Sequence, residues 1–70
     1  MKFKIRENEE NIRLGQLLKA TGLVDTGSEA KIVIQNGEVK VNGEVCLMRG
    51  KKIVRGDHIS FSGKDVEVSR

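Results

Sequence analysis

The spacing of apolar positions along the chain changes once, at Gly37. Upstream the period is that of a helix, and downstream it is that of a strand. In "NIRLGQLLKATG" Leu14, Leu17 and Leu18 fall at i, i+3 and i+4, which predicts a first helix with Asn11 available as N-cap and Gly22 as its stop, in spite of Gly15 inside it. "DTGSEAKIVIQNG" predicts a second helix. Thr26 and Glu29 have the Thr-x-x-Glu capping-box spacing, Ala30, Val33 and Ile34 share a face, and Gly37 supplies the left-handed residue that ends it. Only Leu23 to Asp25 separate the two, so the helices are neighbours joined by a sharp change of direction.

After Gly37 the chain reads as strands. In "EVKVNGEVCL" Val39 and Val41 lie on one face, and Asn42-Gly43 suits a two-residue type I′ hairpin turn, which needs positive φ at both positions. In "KKIVRGDHISFSGKDVEV" Ile59 and Phe61 alternate with His58 and Ser60, with a turn at Gly56-Asp57 and another at Gly63-Lys64 before Val66 and Val68. At the other end, "KFKIR" places Phe3 and Ile5 on one side of a short strand, and the surrounding charges cancel: Lys2, Lys4 and Arg6 against Glu7, Glu9 and Glu10. That amino-terminal run is expected to be a solvated lead-in. The predicted fold is α+β, two helices packed on a small, mainly antiparallel sheet of three to five short strands, forming a single domain over residues 1–70.

Composition narrows the function classes. A chain of 70 residues has room for one small core and no deep cleft. With 37% hydrophobic and 33% charged residues it is expected to be globular. Cys46 is the single cysteine and His58 the single histidine, so neither an internal disulfide nor a zinc ligand set is available, and no cofactor is expected. No apolar run reaches membrane-spanning length and "MKFKIRENEE" lacks the apolar middle of a signal peptide, which makes a cytoplasmic location the expectation. The formal net charge of +3 arises wholly downstream of residue 12 and favours an anionic partner.

Catalytic chemistry finds little support. His58 lies beside Asp57, which could orient its imidazole, yet no nucleophile is placed near it. Cys46 near Arg49 reads as a small hairpin side chain, the pair Glu9 and Glu10 sits where nothing would bury it, and glycine-rich phosphate signatures of the Walker or Rossmann kind are absent. An enzyme is not expected.

Nucleic-acid binding fits better, and the aromatic count restricts its type. Tyr and Trp are missing, and Phe3 and Phe61 both fall at apolar strand positions, so a base-stacking platform is not expected. Contact with the phosphates and sugars of a structured RNA remains. The start of the second helix offers exposed N–H groups, Gly27 and the Ser28 hydroxyl, while Asp25 and Glu29 bring opposing charge; an anion site and a merely well-capped helix both fit these residues. Arg13 and Lys19 lie outside the leucine arc of the first helix and face solvent. In "MRGKKIVRGD" Arg49, Lys51 and Lys52 crowd around Gly50, and their mutual repulsion is a cost that a bound anion relieves.

The run "RLGQLLKATGLVDTGSEAKIVIQNGEVKVNGEV", continued by "KKIVRGDHISF", resembles the RNA-binding domain of the ribosomal small-subunit protein four type, the S-four domain. The likeness spans Arg13 to Phe61 and extends toward Val68; its most specific parts are Glu29-Ala30-Lys31, Gly37, Val39 to Gly43, and Gly56-Asp57. It implies the family's αL motif, a helix pair followed by a small sheet, which binds ribosomal or transfer RNA. By position Arg13 matches the basic residue that starts the family's first helix, Lys31 the one after Glu-Ala, and Lys40 the one before Val-Asn-Gly. Two departures stand out. Thr26-Gly27 replaces the frequent Ser-Arg, and Gly15 replaces the frequent acid after Arg-Leu, which places the chain nearest the short, free-standing bacterial branch and shifts the expected contacts toward Arg49, Lys51 and Lys52. Other members carry the domain beside pseudouridine synthases, methyltransferases or transfer-RNA synthetases, and no such partner domain is seen in this chain.

The expectation is thus a monomeric, cytoplasmic, non-catalytic binder of structured RNA acting in ribosome assembly or translation. Its expected contacts are Arg13, Lys19, Ser28, Lys31, Lys40, Arg49, Lys51, Lys52 and Arg55. The rival is a protein-interaction adaptor that docks on a ribosomal protein or an RNA-modifying enzyme through a sheet edge at Lys64 to Ser69.

Overall fold

The computed structural model describes residues 1–69. Its elements in chain order are β1 (Lys2–Phe3), β2 (Ile12–Arg13), α1 (Leu14–Ala20), α2 (Gly27–Gln35), β3 (Val39–Val41), β4 (Glu44–Val45), β5 (Lys52–Ile53), β6 (His58–Phe61) and β7 (Lys64–Val68). Two helices followed by a mainly antiparallel sheet is the expected α+β order.

Both helices end as their glycines dictate. Gly22 (φ 78°) and Gly37 (φ 76°) adopt the left-handed conformation. In each case the next residue's N–H reaches back five residues, Leu23 to Leu18 at 3.1 Å and Glu38 to Val33 at 3.1 Å, which is the Schellman pattern. At the start of α2 the Thr26 hydroxyl accepts the Glu29 N–H at 3.1 Å, as the capping box requires. The returning arm is displaced by one residue, because the Glu29 carboxylate accepts the N–H of Asp25 at 2.7 Å.

The start of α1 differs from expectation. Asn11 is not its N-cap: Ile12 and Arg13 are extended and pair antiparallel with β5, so the helix opens after Arg13. The orphan donors of the first turn are instead met from a distant loop, the Leu14 N–H by the Lys51 carbonyl and the Gly15 N–H by the Arg49 carbonyl, both at 2.9 Å.

The main sheet has the order β1-β7-β6-β3-β4, and β2 and β5 form a separate two-stranded ladder. The five strands of the main sheet agree with the expected three to five, and the two-residue β2 and β5, too short to show a period, add a ladder outside it. The turn before β7 is Ser62-Gly63 rather than Gly63-Lys64, since Phe61 pairs with Lys64 and the positive φ values fall at Ser62 (53°) and Gly63 (76°). The amino-terminal run is more than a lead-in. Lys2–Phe3 adds parallel to β7, and Ile5 is only 2% exposed. For the same reason Lys64 to Ser69 is no sheet edge: β7 lies between β1 and β6, and the outer strands are β1 and β4.

One core joins these layers. Leu14, Leu17, Leu18, Ala30 and Ile34 from the helices pack with Val39, Val41, Ile59, Val66 and Val68 from the sheet, with Ile5, Val24 and Ile53 completing it. At ~25 cal/mol per Å² of apolar surface removed from water, this burial is the main term that holds α1 against its loop and sheet.

Candidate nucleic-acid interface

The loop that caps α1 also builds the most cationic surface of the molecule. Because the carbonyls of Arg49 and Lys51 point at the helix start, the side chains of Arg49, Lys51 and Lys52 are left exposed around it. Gly15 lies against this loop, and a methyl group there would sit at an ordinary contact distance of 3.6 Å from the Arg49 Cβ and the Arg49 carbonyl oxygen. On the far side the Arg13 guanidinium donates from Nη1 to the Gly50 carbonyl at 3.3 Å.

The result is an open cleft of about 420 Å³ lined by Arg13 of β2, Gly15, Gln16 and Lys19 of α1, Gly27 at the start of α2, and Arg49 and Gly50 of the loop. Three cations, one each from β2, α1 and the loop before β5, line the cleft together with three glycines, and no carboxylate lines it. Like charges held this way repel, and an anion seated among them lowers the energy. Gly27, the first residue of α2, lies on the same rim, and its N–H has no carbonyl partner inside the helix.

The expected contact residues divide into groups. Arg13, Lys19 and Arg49 line the cleft. Lys51 and Lys52 are exposed beside it, Lys52 opposite Arg13 in the β2–β5 ladder. Ser28 and Lys31 are exposed on α2, Lys31 one turn beyond Gly27 on the same side of the helix. Lys40 lies elsewhere, on the face of the sheet opposite the core, because its neighbours Val39 and Val41 point inward. Arg55 is occupied: its Nη2 donates to the carbonyls of Ile5 at 3.3 Å, Arg6 at 3.1 Å and Glu9 at 3.2 Å. Arg55, expected as an RNA contact, thus also tethers the amino-terminal segment. Gly15, Gln16, Gly27 and Gly50 were absent from the expected contacts; a glycine within a helix and another within a cationic loop were the signals for Gly15 and Gly50.

The residues with catalytic potential have other tasks. The Asp57 carboxylate accepts from the Val54 N–H and the Asn42 amide, both at 3.0 Å, so it holds the backbone between two turns and does not orient His58. The His58 N–H in turn donates to the Asn42 side-chain oxygen at 2.9 Å, and the Cys46 thiol faces the Met48 carbonyl at 3.6 Å. Among the described residues no cluster of His, Cys, Asp and Glu could hold a metal ion, and no helix is long and apolar enough to cross a membrane.

Known proteins share this arrangement. YbcJ of Escherichia coli (strain K12) is 43% identical over 58 residues, 83% of each chain. The solution structure of YbcJ, described as containing an αL motif involved in RNA-binding, matches with a TM-score of 0.75 at 38% identity, covering 99% of this chain and 86% of that one. RlbA of Bacillus subtilis (strain 168), which bears the name of a ribosome maturation protein, is 39% identical over 54 residues, 77% of this chain and 76% of its own. A crystal structure of a pseudouridylate synthase matches with a TM-score of 0.72 at 27% identity, over 80% of this chain but 24% of that one. The family model described as S4 domain covers residues 3–69, reaching past the resemblance at 13–61 to take in both β1 and β7. With the helix pair, the sheet and nearly its whole length accounted for, the chain belongs to the S4 domain family.

Proposed function

We propose that this chain is a non-catalytic RNA-binding protein that grips the phosphates of a structured RNA, ribosomal or transfer, and works in ribosome assembly or translation as a cytoplasmic monomer. The observation that carries this reading is the glycine-lined cleft at which Arg13, Lys19 and Arg49 converge. Lys51, Lys52, Lys31 and Ser28 extend the same surface, and Lys40 adds charge on a different face. The αL motif of YbcJ, described as involved in RNA-binding, and the ribosome-maturation name of RlbA support the class of ligand. The likeness to the pseudouridylate synthase covers only a quarter of that chain, which suits a binding module without chemistry of its own.

Fluorescence anisotropy with fragments of structured ribosomal RNA tests the proposal. With about four phosphates contacted, log affinity falls against log salt with a slope of roughly −3. A wild type that binds no such fragment at low salt overturns it.

A second reading, the protein adaptor, is favoured by one feature. The outer strand β4 and the residues after it expose Val45 (53%), Leu47 (58%) and Met48 (66%), so a partner's extended segment could add there as a strand. Protein purified at low salt discriminates: co-purifying nucleic acid supports the first reading, and a stoichiometric protein held through β4 supports the second.

A further inference from the structure

Beside the basic cleft, along the same exposed face of α1, lies a second, larger cleft of about 620 Å³. Its apolar wall is Phe3, Ile12 and Ala20, and its rim carries Lys4, Arg6 and Lys19 against one carboxylate, Glu9. Lys19 and Gln16 line both clefts, so the two are continuous across the exposed face of the helix. The wall that faces α1 is fixed in place. The Arg55 guanidinium holds the carbonyls of Ile5, Arg6 and Glu9, the Glu9 N–H closes a turn onto the Arg6 carbonyl at 3.0 Å, and β1 is paired to β7.

We infer that this cleft takes one unpaired nucleotide of the RNA whose phosphates occupy the basic cleft. The inference rests on the RNA-binding reading and deepens it by naming the kind of RNA: a paired stem next to a bulged or flanking base. Three properties of the cleft match a nucleotide. It lies within the ~300–1,000 Å³ range of small-molecule sites, so a base and its sugar fit. Its apolar wall includes the half-buried ring of Phe3, which gives a base a surface to leave water against. Its rim bears three cations to one carboxylate, complementary to a phosphate, and Glu9 offers an acceptor for an exocyclic amine or a ribose hydroxyl. Lys19, standing between the clefts, bridges successive phosphates of a strand that passes from one to the other.

The test compares two RNA hairpins with the same stem, one fully paired and one with a single 2-aminopurine bulge, by anisotropy and by 2-aminopurine fluorescence. Wild type is expected to bind the bulged hairpin about tenfold more tightly, toward the lower end of what base stacking on an aromatic contributes, and to change the 2-aminopurine signal. Ala20→Glu, an exposed helix position, places a carboxylate against the apolar wall; it is expected to abolish both the preference and the signal change while affinity for the paired hairpin falls no more than about twofold. Lys4→Ala/Arg6→Ala is expected to reduce the preference without touching the basic cleft. Equal affinity of the wild type for both hairpins, or a preference that survives Ala20→Glu, overturns the inference and leaves the RNA-binding reading intact. Failure to bind either hairpin overturns both.

Discussion

Two segments only a few residues apart, Met48 to Lys52 and Val54 to His58, carry their charge to opposite ends. In the first the backbone does the structural task. The carbonyls of Arg49 and Lys51 satisfy the start of α1, and the cationic side chains are left free. In the second the side chains do it. Arg55 ties down three carbonyls of the amino-terminal segment, and Asp57 joins the Val54 N–H to the Asn42 amide of the hairpin turn. Four cations that look alike in "MRGKKIVRGD" are therefore unlike in the molecule. Substituting the first group should change binding and leave stability alone, and substituting the second should do the reverse.

The largest effect is expected from Arg55→Ala. Loss of three hydrogen bonds from a charged donor costs about 3 kcal/mol of folding free energy, seen as a lower urea midpoint with unchanged slope, while the folded protein retains its RNA affinity. A lost affinity at full stability would erase the contrast. Next comes Arg49→Ala/Lys51→Ala/Lys52→Ala, expected to weaken binding to structured RNA about thirtyfold and to flatten the salt slope by roughly 2 to 3, with the urea midpoint nearly unmoved. Gly15→Asp sharpens the comparison by placing a carboxylate in the basic cleft. Its Cβ would find ordinary contact distances, and its carboxylate would enter a cleft of cations; affinity should fall about tenfold, with equal or slightly higher stability from an acid in the first helical turn. Smallest is Thr26→Ala, which removes the hydroxyl that accepts the Glu29 N–H and should cost about 1 kcal/mol in urea unfolding, with little change in affinity.

Much of the fold was legible because its signals are short-range. Leu14, Leu17 and Leu18 define a helical face within five positions, Thr26 finds Glu29 three residues on, and Asn42-Gly43 makes its turn wherever the strands lie. The ladder of β2 with β5 was not legible. Ile12–Arg13 and Lys52–Ile53 have no period, and each is extended only because the other lies beside it. The same cause misplaced the cap of α1 at Asn11, since the carbonyls that satisfy it come from more than thirty residues away. Of the candidate site, Arg13, Lys19 and Arg49 were legible as exposed cations, but the cleft between them was not. It forms where the Arg49–Gly50 loop meets the start of α1, and that meeting joins positions more than thirty residues apart.

The sequence by itself determined the helix pair and its ends, the hairpin, the face each strand buries, the excess of positive charge downstream of residue 12, and the kinship with the S4 domain. Tertiary structure alone decided which cations are available. Arg55 meets its carbonyls 46 to 50 residues upstream, and Arg13 meets that of Gly50 37 residues downstream. A guanidinium carries the same charge wherever it stands in the chain. What it contributes depends on the backbone that folding brings within about 3 Å of it, and that proximity is a property of the packed core rather than of any local run of residues.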